Sequence, residues 1–102
     1  MTTKPTVLFI CKHNAGRSQL GAALLELAAP DRYTATSAGI TPADEVNPSI
    51  AATVGELGLD ITARMPRRVT PDLLEHADIV VLMKPGLELP AEPGGTVLEW
   101  SF

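Results

Sequence analysis

The chain has 102 residues, of which 45% are hydrophobic, and its 8 basic and 12 acidic side chains give a net charge of −4. This size predicts one globular domain over residues 1–102, and the negative charge argues against nucleic acid and anionic membranes as partners. One cysteine excludes an internal disulfide, and neither a signal-like segment nor an apolar run near the roughly 20 residues of a membrane span is present. We therefore expect a cytoplasmic protein.

The first third of the chain has the pattern of a strand, a helix and a second strand. Thr6 to Ile10 is a short apolar run that predicts a buried strand. Helical spacing begins at Ser18 and stops before Pro30. Tyr33 to Ser37 predicts the second strand. The predicted buried face of the helix consists of Leu20, Leu24, Leu27 and Ala28.

The middle of the chain predicts a helix that begins at Asn47 and Pro48. Asparagine is a favoured N-cap residue and proline suits the first helical position, while Gly58 suits the C-terminal end. The predicted buried stripe of this helix consists of Ile50, Val54 and Leu57.

The last third predicts a short helix and two strands. The helix covers Asp72 to Ala77 after a Thr-Pro start, and the strands cover Ile79 to Met83 and Thr96 to Trp100. The alternation of strands and helices predicts the α/β class with a parallel sheet. Ligands in such sheets bind beyond the carboxyl ends of the strands, which is where Cys11 to Arg17 falls.

The segment from Cys11 to Ser18 has the composition of an anion-binding loop. Backbone N–H groups between a strand and a helix form a nest for an anion, and the helix dipole adds to it. Gly16 allows close approach of the backbone, and Asn14 tolerates a left-handed conformation. The planar guanidinium group of Arg17 can bind two oxygens of a phosphate or arsenate at once. Cys11 is therefore expected to be a nucleophilic thiolate, and Ser18 to donate to it or to cap the helix.

Other polar residues have competing interpretations. His13 either tunes the thiolate or faces solvent, and His76 is expected to interact with a helix C-terminus. Arg64, Arg67 and Arg68 either line the rim of the site or form an ordinary charged loop. With one cysteine and two distant histidines, the sequence does not predict a metal site.

The Cys-x5-Arg-Ser spacing of Cys11 to Ser18 resembles the phosphate loop of the low-molecular-weight protein tyrosine phosphatase superfamily. His13 to Gln19 is more similar to its arsenate reductase branch. Three further segments look like actinobacterial arsenate reductases, including arsenate–mycothiol transferases: Ser37 to Gly39, Pro42 to Pro48 and Leu57 to Ile61. The resemblance implies a three-layer, phosphatase I-like fold with a four-stranded parallel sheet, order 2-1-3-4, flanked by helices.

The resemblance also implies the roles of the loop residues. Cys11 is the nucleophile, Arg17 binds the oxyanion and stabilises its transition state, and residues 12–16 supply backbone donors. The candidate catalytic residues are Cys11, Arg17 and Ser18, and the candidate oxyanion-binding residues are Lys12, His13, Asn14, Ala15, Gly16 and Arg17. No bound cofactor is expected.

The sequence departs from the family pattern in three places. Lys84 to Leu89 holds none of the further cysteines of thioredoxin-coupled members, so an external thiol, mycothiol or glutathione, or a redoxin must supply electrons. The family's general-acid aspartate lies after a segment like Glu99 to Phe102, and no aspartate here matches it. The family's last helix is absent, and we expect a homodimer, or a partner, to cover the bare apolar surface.

Arsenate reduction with an external thiol is therefore the expected function. The alternatives are hydrolysis of phosphate monoesters through a phosphocysteine, and a catalytically impaired module that binds an oxyanion or regulates a partner.

Overall fold

The computed structural model describes residues 4–84 and 86–99. Every predicted strand and helix is found there, with bounds that differ by one or two residues. Trp100 and the two residues after it lie outside the described residues. In chain order the elements are β1 (Thr6–Cys11), α1 (Arg17–Ala28), β2 (Thr34–Gly39), α2 (Pro48–Glu56), α3 (Pro71–His76), β3 (Ile79–Leu82) and β4 (Thr96–Glu99).

The four strands form one parallel sheet in the order β2-β1-β3-β4, as the resemblance implies. Cys11 at the end of β1 lies level with Gly39 at the end of β2, and Ile10 lies level with Leu82 of β3. The carboxyl ends of the central strands therefore meet at one edge, where Cys11 begins the loop to α1.

Both faces of the sheet carry apolar clusters, as a parallel sheet requires. Val7, Phe9 and Val81 pack with Ala22 of α1 on one face. On the other face the strand residues pack with Leu74 of α3. A third cluster joins α1 to α2 around the fully buried Val54. Helices and sheet thus form three layers, which confirms the predicted fold class.

The predicted buried face of α1 is wrong. Leu24 and Leu27 are 45% and 38% exposed, Ala28 is exposed and Leu20 is half-buried. Close approach between helix and sheet explains the difference, because a Cβ atom on Gly21 would lie only 2.8 Å from Phe9 Cδ1. Small residues therefore face β1, and the larger leucines turn outward. The buried residues of α1 are Ser18, Gln19, Ala22 and Ala23.

Both ends of the predicted second helix agree with the structure, whereas its predicted buried residues agree only in part. Asn47 caps α2, with its Oδ1 accepting from the N–H of Ser49 at 2.9 Å. Gly58 has φ 101°, a left-handed conformation that favours glycine after a helix. Val54 is buried, but Leu57 is 52% exposed because α2 ends one residue before it.

The edge strand β4 is exposed along its whole length, including Val97 and Leu98 at 44% and 43%. No helix follows β3 within residues 86–99. The expected cover by a second copy of the chain remains a prediction. None of the helices in the described ranges is long and apolar enough to cross a bilayer.

Gly39 gives a test of how tightly β2 packs against the Cys11 loop. A Cβ atom at this position would lie 2.8 Å from Asn14 N and 2.9 Å from Lys12 O. We expect Gly39→Ala to lower the free energy of unfolding by about 1–3 kcal/mol, the usual cost of overpacking, as measured by urea denaturation.

Gly55→Ala is the matched control. No atom lies within 4 Å of the added Cβ in α2, so this variant should gain roughly 0.5–1 kcal/mol from reduced backbone entropy. Equal stability of the two variants would show that β2 and the loop are not in close contact.

Candidate active site

The loop between β1 and α1 is held through its carbonyl oxygens. Four of them accept backbone N–H groups of the segment that follows β2, at 2.7–3.2 Å. Asn14 O accepts Gln19 Nε2 at 3.1 Å, and Gly16 O accepts the N–H of Leu20. The four backbone pairs are Cys11 with Ile40, Lys12 with Thr41, His13 with Ala43, and Ala15 with Asn47.

This anchoring sets the direction of the loop N–H groups. In a planar trans peptide the C=O of one residue and the N–H of the next point to opposite sides. Because every carbonyl from Cys11 to Gly16 is bound on the outside, the N–H groups of residues 12–16 face the other way. The N–H of Asn14 confirms this, since it donates to Cys11 Sγ at 3.2 Å.

Asn14 holds the centre of the loop. It is fully buried and has φ 52°, the left-handed conformation that asparagine tolerates. Its Oδ1 accepts the N–H of Arg67 at 2.9 Å and Gln19 Nε2 at 3.3 Å, and its Nδ2 donates to Ser18 Oγ at 2.8 Å. One side chain thus ties the loop to α1 and to the segment before α3.

Two polar groups lie against the sulfur of Cys11. Ser18 Oγ lies 2.9 Å from Cys11 Sγ, and the Asn14 N–H donates to Sγ at 3.2 Å. Ser18 Oγ also accepts from Asn14 Nδ2 at 2.8 Å, which leaves the Ser18 proton available to Sγ. Hydrogen bonds of this kind are strongest when the acceptor is charged.

Cys11 lies at the floor of a cleft of about 440 Å³. Three cationic residues line it, and no carboxylate is present among its described lining residues. Asn14 and Ser18 lie buried beneath the loop and do not line the cleft. The lining residues are Cys11, Lys12, His13, Ala15, Gly16, Arg17, Asn47 and Lys84.

The N-terminus of α1 is accessible from the cleft, where an anion could reach it. Gly16 is the N-cap and gives no side-chain cap hydrogen bond, and the first turn of α1 has no acidic residue. A Cβ atom on Gly16 would meet nothing within 4 Å, so the backbone here borders open space. Arg17 is the first helical residue, and its exposed side chain lines the cleft. Backbone donors, helix dipole and guanidinium therefore share one side of the cleft.

The remaining polar candidates have structural roles. His13 is exposed, and its Nδ1 lies 3.1 Å from Thr41 O; this contact places a proton on Nδ1 because a carbonyl oxygen only accepts. His76 Nδ1 lies 2.7 Å from Asp72 O within α3. The described residues contain no group of histidine, cysteine and acidic side chains that could hold a metal ion.

The arginines considered for the rim do not line the Cys11 cleft. Arg64 and Arg67 border a separate cavity of about 510 Å³ beside β2. There Arg64 Nη2 pairs with Glu26 Oε2 at 2.8 Å, and Arg67 Nε donates to Ser37 O at 2.9 Å. Arg68 is exposed. Their interpretation as a structural charged loop is the one that agrees with these contacts.

Asp60 has no acid role in this cleft. The Thr62 hydroxyl donates to Asp60 Oδ1 at 2.6 Å, and the Thr62 N–H donates to it at 2.9 Å. These two bonds hold the pKa of Asp60 below its ordinary value and stabilise a turn. The carboxylate lies outside the lining of the Cys11 cleft.

Sequence reasoning missed several residues that shape the site. Lys84 and Asn47 line the cleft, and Gln19 and the backbone of Arg67 hold Asn14. Only the position of Lys84 could have been inferred from the sequence, since this residue follows β3, the strand that neighbours β1. Asn47 and Arg67 are distant from the loop in sequence, whereas Gln19 lies only five residues from Asn14.

Comparison with known proteins gives consistent matches. Residues 6–88 match the family model described as low molecular weight phosphotyrosine protein phosphatase. A Halobacterium salinarum protein provisionally named an arsenate reductase is 40% identical over 90 residues, covering 82% of this chain and 63% of that protein. The chain therefore spans less than two thirds of the length of this curated relative.

Solved structures agree with the sequence matches. A thioredoxin-dependent arsenate reductase from Corynebacterium glutamicum is 40% identical, with a TM-score of 0.86; the match covers 95% of this chain and 49% of that one. An arsenate reductase in its phosphate-binding state is 25% identical, with a TM-score of 0.82 and coverage of 94% and 75%.

Ser18→Ala tests the hydrogen bond to the cysteine. The variant removes one of two donors to Sγ and leaves Asn14 Nδ2 without its acceptor. We expect iodoacetamide to alkylate Cys11 about tenfold more slowly at neutral pH, because a hydrogen bond to a charged acceptor contributes about 1.5–3 kcal/mol. Mass spectrometry of the alkylated protein over time gives the rate.

Ser49→Ala, which removes an exposed hydroxyl of α2, is the control and should react like the wild type. Alkylation of Ser18→Ala at the wild-type rate would show that the Ser18 hydroxyl does not stabilise the thiolate.

Proposed function

This chain belongs to the low molecular weight phosphotyrosine protein phosphatase family, and on that premise we propose that it reduces arsenate through Cys11 with electrons from an external thiol. The observation that carries the proposal is the position of Cys11 Sγ, which accepts the Asn14 N–H and contacts the Ser18 hydroxyl in a cation-lined cleft. The relatives named as arsenate reductases in Halobacterium and Corynebacterium support the choice of substrate.

The first step is attack on arsenate. The oxyanion binds to the inward N–H groups of the loop and to the guanidinium of Arg17. Cys11 Sγ attacks arsenic, so that an S–As bond forms and one As–O bond breaks. The departing hydroxide takes up a proton from solvent and leaves as water. Ser18 stabilises the thiolate before attack, and the loop donors stabilise the negative charge as it moves to the oxygens.

The second and third steps consume two thiols. A first external thiolate attacks arsenic, so the S–As bond passes from Cys11 to that thiol and Cys11 leaves as a thiolate. A second thiolate then attacks the sulfur of this adduct. The S–As electron pair remains on arsenic, which departs as As(III) arsenite, and the two thiols leave as a disulfide.

The thiol must come from outside this stretch of chain, because Cys11 is the only cysteine in its 102 residues. Mycothiol and glutathione are the proposed small-molecule donors, and a redoxin is the proposed protein donor. The Corynebacterium relative is described as thioredoxin-dependent, so thioredoxin belongs among the reductants to be compared.

Phosphate ester hydrolysis is the second candidate function. The family name and the phosphate-binding state of one structural relative favour it. An ester leaving group requires a proton donor, however, and the described lining of the cleft contains no carboxyl group. Loss of hydroxide from arsenate also consumes a proton, so the names of the relatives, and not the lining of the cleft, favour arsenate.

Cys11→Ser and Arg17→Lys test the proposal with arsenate and each of mycothiol, glutathione and thioredoxin. We expect Cys11→Ser to form no arsenite above background. Arg17→Lys removes the bidentate contact and should lower kcat/KM for arsenate by about 10²–10³-fold, as loss of an oxyanion donor does. Arsenite release is measured by chromatography coupled to mass spectrometry.

Arg32→Lys, the same change at an exposed arginine between α1 and β2, should retain wild-type rates. Arsenite formation by Cys11→Ser would overturn the proposed mechanism. Hydrolysis of p-nitrophenyl phosphate without arsenite release would assign the phosphatase function, and tight arsenate binding with neither activity would assign an oxyanion-binding module.

A further inference from the structure

The Cys11 cleft has room for more than the oxyanion. Its volume of about 440 Å³ falls in the range of pockets that hold whole small organic molecules, about 300–1,000 Å³. A single tetrahedral oxyanion at Cys11 and Arg17 fills a small part of this space. The remainder of the cleft extends to Asn47 and Lys84, which the oxyanion loop does not include.

The charge of the cleft is opposite to that of the protein. The chain has a net charge of −4, yet Lys12, Arg17 and Lys84 line the cleft without a carboxylate among the described lining residues. Lys12 and Arg17 belong to the loop that surrounds Cys11. Lys84 is the cation that remains for a second negative group.

Backbone contacts place Lys84 across the cleft from the loop. The N–H of Met83 donates to Ile10 O at 2.8 Å, so the chain stays beside β1 up to that residue. Lys84 then leaves the sheet at the carboxyl end of β3, next to the strand that ends in Cys11. Its side chain is exposed to solvent and lines the cleft.

Asn47 adds a hydrogen-bond donor to the same region. Its Oδ1 accepts the N–H of Ser49, and its backbone N–H donates to Ala15 O at 2.8 Å. Its Nδ2 has no acceptor among the residues that the structure describes. The N-terminus of α2, which Asn47 caps, brings a partial positive charge to this wall of the cleft.

We propose that Lys84 and Asn47 form a second anion subsite, which binds a carboxylate of the external thiol while the Cys11 loop holds the oxyanion. This inference rests on the proposed function, because it names the chemistry of the thiol that the cleft accepts. The subsite selects glutathione, which carries carboxylates, over thiols that have none. Mycothiol has no carboxylate, so the subsite favours glutathione among the two small-molecule donors proposed above. Lys84 acts on the binding of the thiol, and Cys11 and Arg17 act on arsenate.

The test compares kcat/KM for glutathione with kcat/KM for 2-mercaptoethanol, which has no carboxylate. We expect Lys84→Gln to lower the glutathione-to-mercaptoethanol ratio five- to tenfold and Lys84→Arg to restore most of it. Asn47→Asp retains a capping side chain but places a negative charge in the subsite, so it should lower the ratio as well.

Two variants control for charge elsewhere. Arg32→Gln removes a positive charge at an exposed site outside the cleft, and Thr70→Asp adds a negative charge at the N-cap of α3. Both should keep the wild-type ratio. A Lys84→Gln ratio equal to that of the wild type would overturn the subsite.

A binding measurement separates the subsite from the proposed function. If no thiol supports arsenite release, the proposed function fails, and protection of Cys11 from iodoacetamide still reports the subsite. We expect phosphonoacetate or 3-phosphonopropionate to protect at five- to tenfold lower concentration than methylphosphonate, and Lys84→Gln to remove this preference. Equal protection by all three compounds in the wild type would overturn the subsite independently of turnover.

Discussion

The binding of five consecutive carbonyl oxygens of the Cys11 loop, those of residues 11–15, is the constraint on which the rest of the site depends. It directs the N–H groups of residues 12–16 to the other side of the loop, and only the carbonyl of Asn14 needs a side chain, that of Gln19, to hold it. An anion site built in this way is organised before its ligand arrives, so little of the binding energy is lost in ordering the loop. Arg17 then adds a positive charge beside a loop whose N–H groups are already oriented.

Asn14 shows how this constraint is locked into the fold. A buried polar side chain is costly unless its donors and acceptors are satisfied, and Asn14 meets Ser18, Gln19 and Arg67. Because it also adopts the left-handed conformation that the loop requires, one residue serves both the backbone path and the hydrogen-bond network. The same network holds the Ser18 hydroxyl against Cys11 Sγ.

The sequence predicts the elements and the loop well because both depend on local patterns. The strand that ends at Cys11, the cap at Asn47 and the left-handed Asn14 are all local features. The buried face of α1 was wrong because apolar periodicity identifies large residues, whereas close packing of α1 on Phe9 requires small ones. Lys84 and Arg67 reach the site through strand order and long-range pairing, which residue spacing alone does not specify.

The long-range contacts of the loop have a consequence for folding. His13 meets Thr41, 28 residues away, and Asn14 meets Arg67, 53 residues away. Contacts of such separation form late, because long stretches of chain must be closed before they are gained. The hydrogen bonds that hold the loop around Cys11 therefore form only when β2 and the segment before α3 have docked. The surroundings of Cys11 thus report completed folding, and a newly synthesised chain contains the cysteine before it contains the loop that encloses it.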